Sequence, residues 1–337
     1  MSHAHLPVAL FAMAPEHFPG LFPPPLLERL GQLARIDASL VSPGLDDPAV
    51  AARLAEAEIL VTGWGCPPLS EDVLAAAPRL HTVLHAAGSV RGMLTEACWE
   101  RGLVVCNAVA ANALPVAEYT LSAILLAGTG AFTLRERYRV DPRYPSTAEL
   151  AGLGNNGRRV GIIGASRVGR RVLELLRPFD LEVALHDPYV DDAEAARLGA
   201  RPVPLDDLLR GSDIVSVHAP DNAETHHMLD RARLALIPDG GVLINTSRGR
   251  LIDQVALVEE LAAGRISAVL DVTDPEPLPA DSPLHHLPNV FLTPHIAGSV
   301  GNELERMGRT VVEELERIAG GLPPLYQVHR AGLAQAA

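Results

Sequence analysis

The sequence is poor in aromatic residues, cysteine and positive charge. Aromatics make up only 4% of its 337 residues, so Leu, Val, Ile and Ala must fill the cores. Lys and Arg number 28 against 41 Asp and Glu, a net charge of 28 − 41 = −13, which argues against nucleic acid or an anionic membrane as a partner. The three cysteines, Cys66, Cys98 and Cys106, have no zinc-site spacing and cannot all pair. They favour a reduced, cytoplasmic protein without a metal site.

The sequence also lacks long, uninterrupted apolar runs. No run approaches the length of a membrane span. The apolar stretch 6–14 has no Lys or Arg before it, which favours a first β-strand over a signal peptide.

The length predicts two domains, and 48% hydrophobic residues are enough for two packed cores. Short apolar runs alternate with helical patterns, which predicts parallel sheets with helices on both faces. The first hundred residues read as a small doubly wound domain that includes a possible strand over 37–41. The longest helical pattern covers 116–138, with Pro115 as the first helical residue. Residues 141–156 read as an exposed loop.

The stretch 159–188, RVGIIGASRVGRRVLELLRPFDLEVALHDP, predicts a dinucleotide-binding βαβ unit. A buried strand leads into a tight turn at Gly164, and Gly169 allows close packing of the following helix on the strand. The helix N-terminus offers N–H groups to a pyrophosphate. Asp187 ends the second strand, where a carboxylate accepts from both ribose hydroxyls and repels a 2′-phosphate. We therefore predict NAD rather than NADP.

Ser166 departs from this pattern, because it stands where the motif has its middle glycine. Its Cβ intrudes where the backbone normally approaches the pyrophosphate. Its hydroxyl could compensate by donating to a phosphate oxygen. The remaining alternative is a decayed site that binds no nucleotide.

Three chemically capable side chains follow later strands of the second half. Arg248 lies after the strand at 241–245, Glu276 after the strand at 266–272, and His295 after the strand at 290–293. Ligands bind outside the carboxyl ends of strands in such sheets. Taken singly, each residue has an ordinary structural explanation; together, at one sheet edge, they indicate a catalytic site.

The chain resembles the D-isomer-specific 2-hydroxyacid dehydrogenases in five segments. These are the nucleotide turn with Asp187, and then NALPVAEYT at 112–120, PDGGVLINTSRGRLIDQVALVEEL at 238–261, LDVTDPEPL at 270–278 and LTPHIAGS at 292–299. The resemblance implies an α/β protein with two doubly wound parallel-sheet domains. A smaller, flavodoxin-like substrate domain is expected from 1–110 plus 297–337, and a Rossmann NAD-binding domain from 111–296.

The resemblance also implies a role for each matched residue. Arg248 would bind the substrate carboxylate and carbonyl, His295 would be the acid/base, and Glu276 would pair with that histidine. Asp271 would hold the nicotinamide carboxamide. The complete set expected to contact the cofactor is Gly164, Ser166, Arg167, Val168, Gly169, Asp187, Ala219, Pro220, Thr246, Ser247, Asp271, His295 and Gly298. Substrate contacts are expected from Gly88, Ser89, Val90 and Arg248.

One loop departs from the family. The family's glycine-rich turn ends in Asp-Asn, whereas AAGSVRG at 86–92 has Arg91 and Gly92 in those places. Arg91 is a substrate contact or a surface residue, and Trp64 either walls the pocket or packs within the domain. These changes make 3-phosphoglycerate, formate and glyoxylate poor default substrates.

The resemblance predicts an NAD-dependent enzyme that interconverts a small 2-keto acid and a D-2-hydroxy acid, as a homodimer that uses the helix from Val116. One alternative is an NAD-sensing, corepressor-like binding protein with the same fold. A weaker alternative is a dehydrogenase for another anion, such as phosphite.

Overall fold

The computed structural model of the chain describes residues 6–332. Two compact units divide it. One contains the described parts of Met1–Asn112 and Ser299–Ala336, and the other contains Ala113–Gly298. These boundaries fall at 112 and 298, where the sequence predicts 110 and 296.

The first unit is built on a four-stranded parallel sheet. Its strands lie in the order β1-β2-β3-β4 and span Ala9–Ala12, Ile59–Thr62, Thr82–His85 and Val104–Asn107. Its helices are α1 (Phe18–Leu21), α2 (Pro24–Leu33), α3 (Pro48–Leu54), α4 (Glu71–Ala76), α5 (Glu96–Glu100) and α14 (Leu304–Ala319).

Alternate residues along these strands face two separate cores. Phe11 and Met13 pack on one face with α14 residues such as Val311, while Leu10 and Ala12 pack on the other. A sheet buried on both faces explains why its strands are mostly apolar. It also places the last long helix in the same unit as the N-terminal strands, which gives a discontinuous unit.

The strand predicted over 37–41 is wrong as a continuous element. Only isolated bridges join this region to the first strand, Val8 to Arg35 and Phe11 to Val41. They lie on the far side of β1 from β2, so the order is still that of a flavodoxin-like sheet whose second strand has shrunk. Asp37 explains the interruption, because its carboxylate accepts from the N–H and hydroxyl of Ser39 and forms a turn.

The second unit is built on a seven-stranded parallel sheet in the order β11-β10-β9-β8-β5-β6-β7. This is the doubly wound order, with its switch point between β5 and β8. The strands span Arg158–Ile163 (β5), Leu181–His186 (β6), Arg201–Pro202 (β7), Ile214–Val217 (β8), Val242–Asn245 (β9), Ser267–Leu270 (β10) and Val290–Leu292 (β11).

Helices cover both faces of this sheet, and each face carries its own core cluster. The sequence patterns did not predict β7 or the short helices over 192–198 and 147–150, the second of which lies inside the predicted loop 141–156. The helices are α6 (Val109–Gly128, which begins in the first unit), α7 (Ala131–Val140), α8 (Thr147–Leu150), α9 (Arg167–Leu176), α10 (Asp192–Leu198), α11 (Leu205–Gly211), α12 (Arg231–Leu234) and α13 (Gln254–Ala262).

The long helix predicted over 116–138 is wrong in both its start and its continuity. Pro115 lies inside α6 rather than at its first position. The helix then ends at Gly128, and Gly130 adopts a left-handed conformation (φ 68°) before α7 begins. Left-handed backbone favours glycine and ends a helix, so two helices replace one.

Helix α6 is long and apolar enough to cross a membrane by length and composition alone, although Asn112 and Glu118 interrupt its apolar sequence. Helix α6 has 20 residues and a mean hydropathy of 1.4, with 44% of its apolar window buried inside the protein. Core helices pass the same test, and Ala117, Ala123, Ile124 and Ala127 of α6 belong to the core of the second unit.

Candidate functional site

The turn between β5 and α9 leaves no room for side chains at its two glycines. Gly164 has a φ of 94°, and a Cβ there would lie 2.6 Å from the backbone nitrogen of Ala219. A Cβ on Gly169 would lie 2.0 Å from the carbonyl oxygen of Gly164. The turn is therefore a cradle of bare backbone at the N-terminus of a ten-residue helix, which fits the pyrophosphate of a dinucleotide.

Ser166 is the N-cap of α9. Its hydroxyl oxygen accepts from the N–H of Gly169 at 3.3 Å. Accepting this bond leaves the hydroxyl hydrogen for an outside acceptor. Of the alternatives for Ser166, this geometry favours a hydroxyl that donates to a phosphate oxygen over a side chain that blocks the pyrophosphate. The neighbouring expected contacts, Arg167 and Val168, are the first two residues of the same helix.

Ser166→Ala is expected to weaken NADH binding about two- to tenfold, the contribution of one neutral hydrogen bond. Ser166→Gly is expected to bind no more tightly than the parent. Calorimetric titration of both variants measures this, with Ser70→Ala as the control. Ser70 caps α4 in the other unit by the same bond, at 3.4 Å, so its loss costs a cap without changing affinity. Tighter binding by Ser166→Gly would show that Ser166 intrudes.

Asp187 ties the end of β6 to the glycine turn. One carboxylate oxygen accepts from the N–H of Ala165 at 2.6 Å, and the other accepts from the N–H of Tyr189 at 2.8 Å. Each oxygen of a carboxylate can accept more than one bond, so capacity for ribose hydroxyls remains. The charge stays fixed beside the turn, as the predicted preference for NAD requires.

Asp187→Asn is expected to raise NADPH affinity about tenfold or more relative to NADH. A carboxylate and a phosphate 4 Å apart near a protein surface repel by up to about 4 kcal/mol, and the amide removes that repulsion. Because the substitution also weakens a backbone bond of the turn, the ratio of the two dissociation constants is the informative quantity. Asp191→Asn, at the N-cap of α10, is the matched control. Equal NADH and NADPH affinities in the parent would contradict the role of Asp187.

The expected contacts after β8 and β9 lie at the same sheet edge as the glycine turn. Ala219 approaches Gly164 closely and is followed by Pro220. After β9, the Ser247 hydroxyl lies 3.0 Å both from the carbonyl oxygen of Val217, at the end of β8, and from the side-chain oxygen of Asn245. Thr246 is buried, and its hydroxyl bonds to that of Thr120 on α6 at 2.9 Å.

Asn245 was missed in the sequence, although it organises the turn that carries Arg248. Its side chain accepts from the N–H of Ser247 at 3.1 Å and donates to the carbonyl oxygen of Arg248 at 2.9 Å. It is buried at the end of an otherwise apolar strand. The signal in the sequence was an amide side chain at the end of an apolar strand, because a buried polar group needs hydrogen-bond partners.

Arg248 directly follows this turn. One of its guanidinium nitrogens donates to the carbonyl oxygen of Ser247 at 2.6 Å. The next residue, Gly249, lies so close to the loop after β10 that a Cβ would meet the carbonyl of Thr273 at 2.1 Å. The backbone beside Arg248 is therefore held closely against the segment that leads to Glu276.

His295 and Glu276 form a direct pair. Ring nitrogen Nδ1 lies 2.5 Å from the Glu276 oxygen Oε1, and the side chains are 49% and 40% exposed. The two residues follow β11 and β10, which are neighbours in the sheet. Because a carboxylate can only accept, Nδ1 carries the hydrogen and Nε2 remains for proton exchange.

Asp271 is nearly fully buried and bonded to the turn that carries His295. Its carboxylate accepts from the N–H groups of Ile296 and Ala297 at 2.8 and 2.9 Å. The Thr293 hydroxyl donates to it at 2.6 Å. These three bonds leave acceptor capacity for the expected carboxamide contact. Gly298, the last expected cofactor contact, follows directly.

The expected substrate loop belongs to the first unit. Gly88, Ser89 and Val90 follow β3, and the Ser89 hydroxyl accepts from the N–H of Arg91 at 3.4 Å.

His85 is a buried residue that contacts this loop and that was missed in the sequence. Its ring nitrogen Nδ1 lies 2.9 Å from the Thr62 hydroxyl oxygen, and the residue makes a backbone hydrogen bond with Ser89. Burial lowers the pKa of His85 to about 4 despite that bond, so it is neutral at pH 7. Trp64 is half-buried against His17.

The residues at this edge of the second sheet have the features that a dinucleotide site requires. The bare backbone at Gly164 and Gly169, the N-terminus of α9 and the Asp187 carboxylate fit NAD. Within residues 6–332, no group of three or more His, Cys, Asp or Glu side chains could hold a metal ion.

Residues 123–297 match the family model of the D-isomer specific 2-hydroxyacid dehydrogenase NAD-binding domain. The D-3-phosphoglycerate dehydrogenase of Mycobacterium tuberculosis is 33% identical over 279 residues, which cover 82% of this chain and 52% of that protein. The chain thus spans about half the length of such curated relatives. The glyoxylate reductase of Korarchaeum cryptofilum is 32% identical over 262 residues, 76% of this chain and 79% of that protein.

Solved structures of similar proteins superimpose over most of the chain. The D-lactate dehydrogenase of Aquifex aeolicus, described as complexed with NAD and lactic acid, superimposes with a TM-score of 0.71 at 26% identity. That alignment covers 93% of this chain and 96% of the other. The cofactor of the matched domain is NAD.

Proposed function

Because this chain belongs to the D-isomer-specific 2-hydroxyacid dehydrogenase family, we propose that it is an NAD-dependent enzyme that interconverts a 2-keto acid and a D-2-hydroxy acid. The observation that carries the proposal is the 2.5 Å bond between His295 and Glu276 at the ends of neighbouring strands. A binding protein needs no such pair, whereas an acid/base needs a partner that orients it.

His295 is assigned the proton transfer. Reduction adds a hydride to the keto carbon and a proton to the keto oxygen, and bound NADH supplies the hydride. Glu276 holds Nδ1–H, so Nε2 gives its proton to the oxygen as the alcohol forms. In the reverse direction Nε2 takes that proton back, and the two directions share one histidine.

Arg248 is assigned the substrate carboxylate. A guanidinium presents a planar fork that matches a carboxylate at two points, which a lysine cannot do. Asn245 supports this role by bonding the backbone on both sides of the turn. The N–H groups of the loop at Gly88, Ser89 and Val90 are assigned to substrate binding, as the resemblance implies.

The remaining assignments concern the localisation, oligomeric state and partners of the protein. We propose a cytoplasmic homodimer without nucleic-acid or membrane partners. Support for the dimer comes from three large hydrophobic side chains that are exposed near one another in the sequence, Tyr138, Val140 and Tyr144. Such an apolar surface is typical of an interface between subunits.

A panel of 2-keto acids with NADH tests the activity directly. We expect absorbance at the NADH band to fall with at least one acid in the panel, and a thermal-shift screen with NADH present to detect the same acid. Ligands that bind only the folded state raise the melting temperature. The panel should vary in side-chain size and charge, because the altered loop at 86–92 sets the substrate class.

The two readouts separate the enzyme from a binding protein. NADH binding without turnover of any acid would return the chain to the corepressor-like class. Turnover of phosphite but of no keto acid would instead keep Arg248 and His295 in place and change the substrate. Absence of NADH binding altogether would indicate a decayed nucleotide site.

A further inference from the structure

We propose that the Tyr119 hydroxyl is a positioning group for His295, and that it acts through Thr293 and Asp271. The proposal rests on the proposed role of His295 as the acid/base. Tyr119 lies on α6, and its hydroxyl oxygen is 2.7 Å from the Thr293 hydroxyl oxygen. Tyr119 and Thr293 lie in two of the segments that resemble the family, at 112–120 and 292–299, but the resemblance gives neither hydroxyl a role.

The direction of the hydrogen bonds follows from the number of hydrogens. Thr293 has one hydroxyl hydrogen, and the carboxylate of Asp271, 2.6 Å away, can only accept it. The bond between the two hydroxyls must therefore use the hydrogen of Tyr119. A directed chain results, from Tyr119 to Thr293 and from Thr293 to the carboxylate.

The carboxylate of Asp271 then holds the backbone on the far side of His295. It accepts from the N–H groups of Ile296 and Ala297. The His295 N–H itself donates to the main-chain carbonyl of Asp271 at 2.9 Å. Three consecutive N–H groups thus point at Asp271, and the His295 N–H also lies 3.1 Å from the carbonyl oxygen of Thr293. Asp271 is therefore the main anchor of the turn around His295.

That anchor holds an unfavourable conformation. His295 has a φ of 53°, a left-handed backbone that costs a non-glycine residue on the order of 1 kcal/mol or more. Such a conformation persists only where the surrounding bonds enforce it. The ring of His295 reaches Glu276 from this backbone, so loss of the anchor would let the ring leave its position.

Tyr119 is suited to this task because it stays protonated. It is half-buried, and burial together with the nearby Asp271 charge raises its pKa despite the bond to Thr293. A neutral tyrosine always has its hydrogen to donate. The adjacent Thr120 bonds to Thr246 after β9, so α6 contacts two strand ends through consecutive residues.

Tyr119→Phe removes only the hydroxyl, and Tyr189→Phe is the matched control because the Tyr189 side chain is exposed. We expect Tyr119→Phe to speed amide hydrogen exchange of residues 295–297, while Tyr189→Phe leaves it unchanged. Exchange does not require turnover, so it tests the anchor even if the proposed activity fails. Unchanged exchange in Tyr119→Phe would overturn the proposal.

The catalytic part is tested by kinetics on a keto acid from the panel. We expect Tyr119→Phe to lower kcat about two- to tenfold, the effect of one neutral hydrogen bond. Thr293→Val should act similarly, and Thr293→Ser, which keeps the hydroxyl, should restore activity. In a His295→Asn background, Tyr119→Phe should have no further effect, since the two residues act as one unit. Multiplying losses in that background would show a general structural role and overturn the positioning of His295.

Discussion

Replacing His295 with Asn is expected to lower keto-acid reduction about 10²- to 10⁴-fold, the usual contribution of a positioned acid/base. Asn tolerates the left-handed backbone at this position better than Ala does, so the variant removes the ring without adding strain. NADH affinity should remain nearly unchanged, because the lost contact acts mainly in the transition state. Steady-state kinetics and NADH titration measure the two quantities separately.

Two further variants define what such a loss means. His286→Asn makes the same substitution at an exposed histidine and should keep parental turnover. Glu276→Gln retains an oxygen that accepts from Nδ1, so its loss should be smaller than that of His295→Asn. Unchanged turnover in His295→Asn would remove the acid/base assignment and leave the dinucleotide site without a catalytic partner.

Gly169→Ala is expected to abolish most NADH binding and to destabilise the second unit by about 1–3 kcal/mol or more, the usual cost of overpacking. The new Cβ would lie 2.0 Å from the Gly164 carbonyl oxygen. That atom belongs to the backbone, so no side-chain rotation relieves the clash. The turn at Gly164 and the N-terminus of α9 must therefore move apart, and this movement destroys the backbone cradle for the pyrophosphate.

Gly211→Ala is the matched control for this prediction. Gly211 ends α11 in the same unit, and a Cβ there would meet no atom within 4 Å. The control should bind NADH like the parent and melt at the same temperature or slightly higher, since Ala is favoured over Gly in a helix. Parental NADH affinity in Gly169→Ala would contradict the cradle. Calorimetry with NADH and thermal melts without it give both answers.

Patterns local in the sequence determined a large part of this protein. The alternation of apolar runs and helical segments predicts two parallel α/β sheets, and both form. The spacing from Gly164 to Asp187 predicts the turn in which that carboxylate bonds to Ala165. Strand ends predict that Glu276 and His295 share one edge, because parallel strands all end on the same side. Within these patterns, each signal comes from neighbouring residues and follows from backbone geometry alone.

Tertiary packing decided the rest. The shrunken second strand depends on a turn at Asp37, and Pro115 sits inside α6 because the surrounding packing overrides local preference. Tyr119 and Thr293 are 174 residues apart, and their bond exists only because α6 lies against the end of β11. Asn245 and His85 are likewise defined by partners that the fold brings to them. A hydrogen bond between distant residues leaves no periodic trace in the chain, so the groups that hold the site in place emerge only from the folded structure.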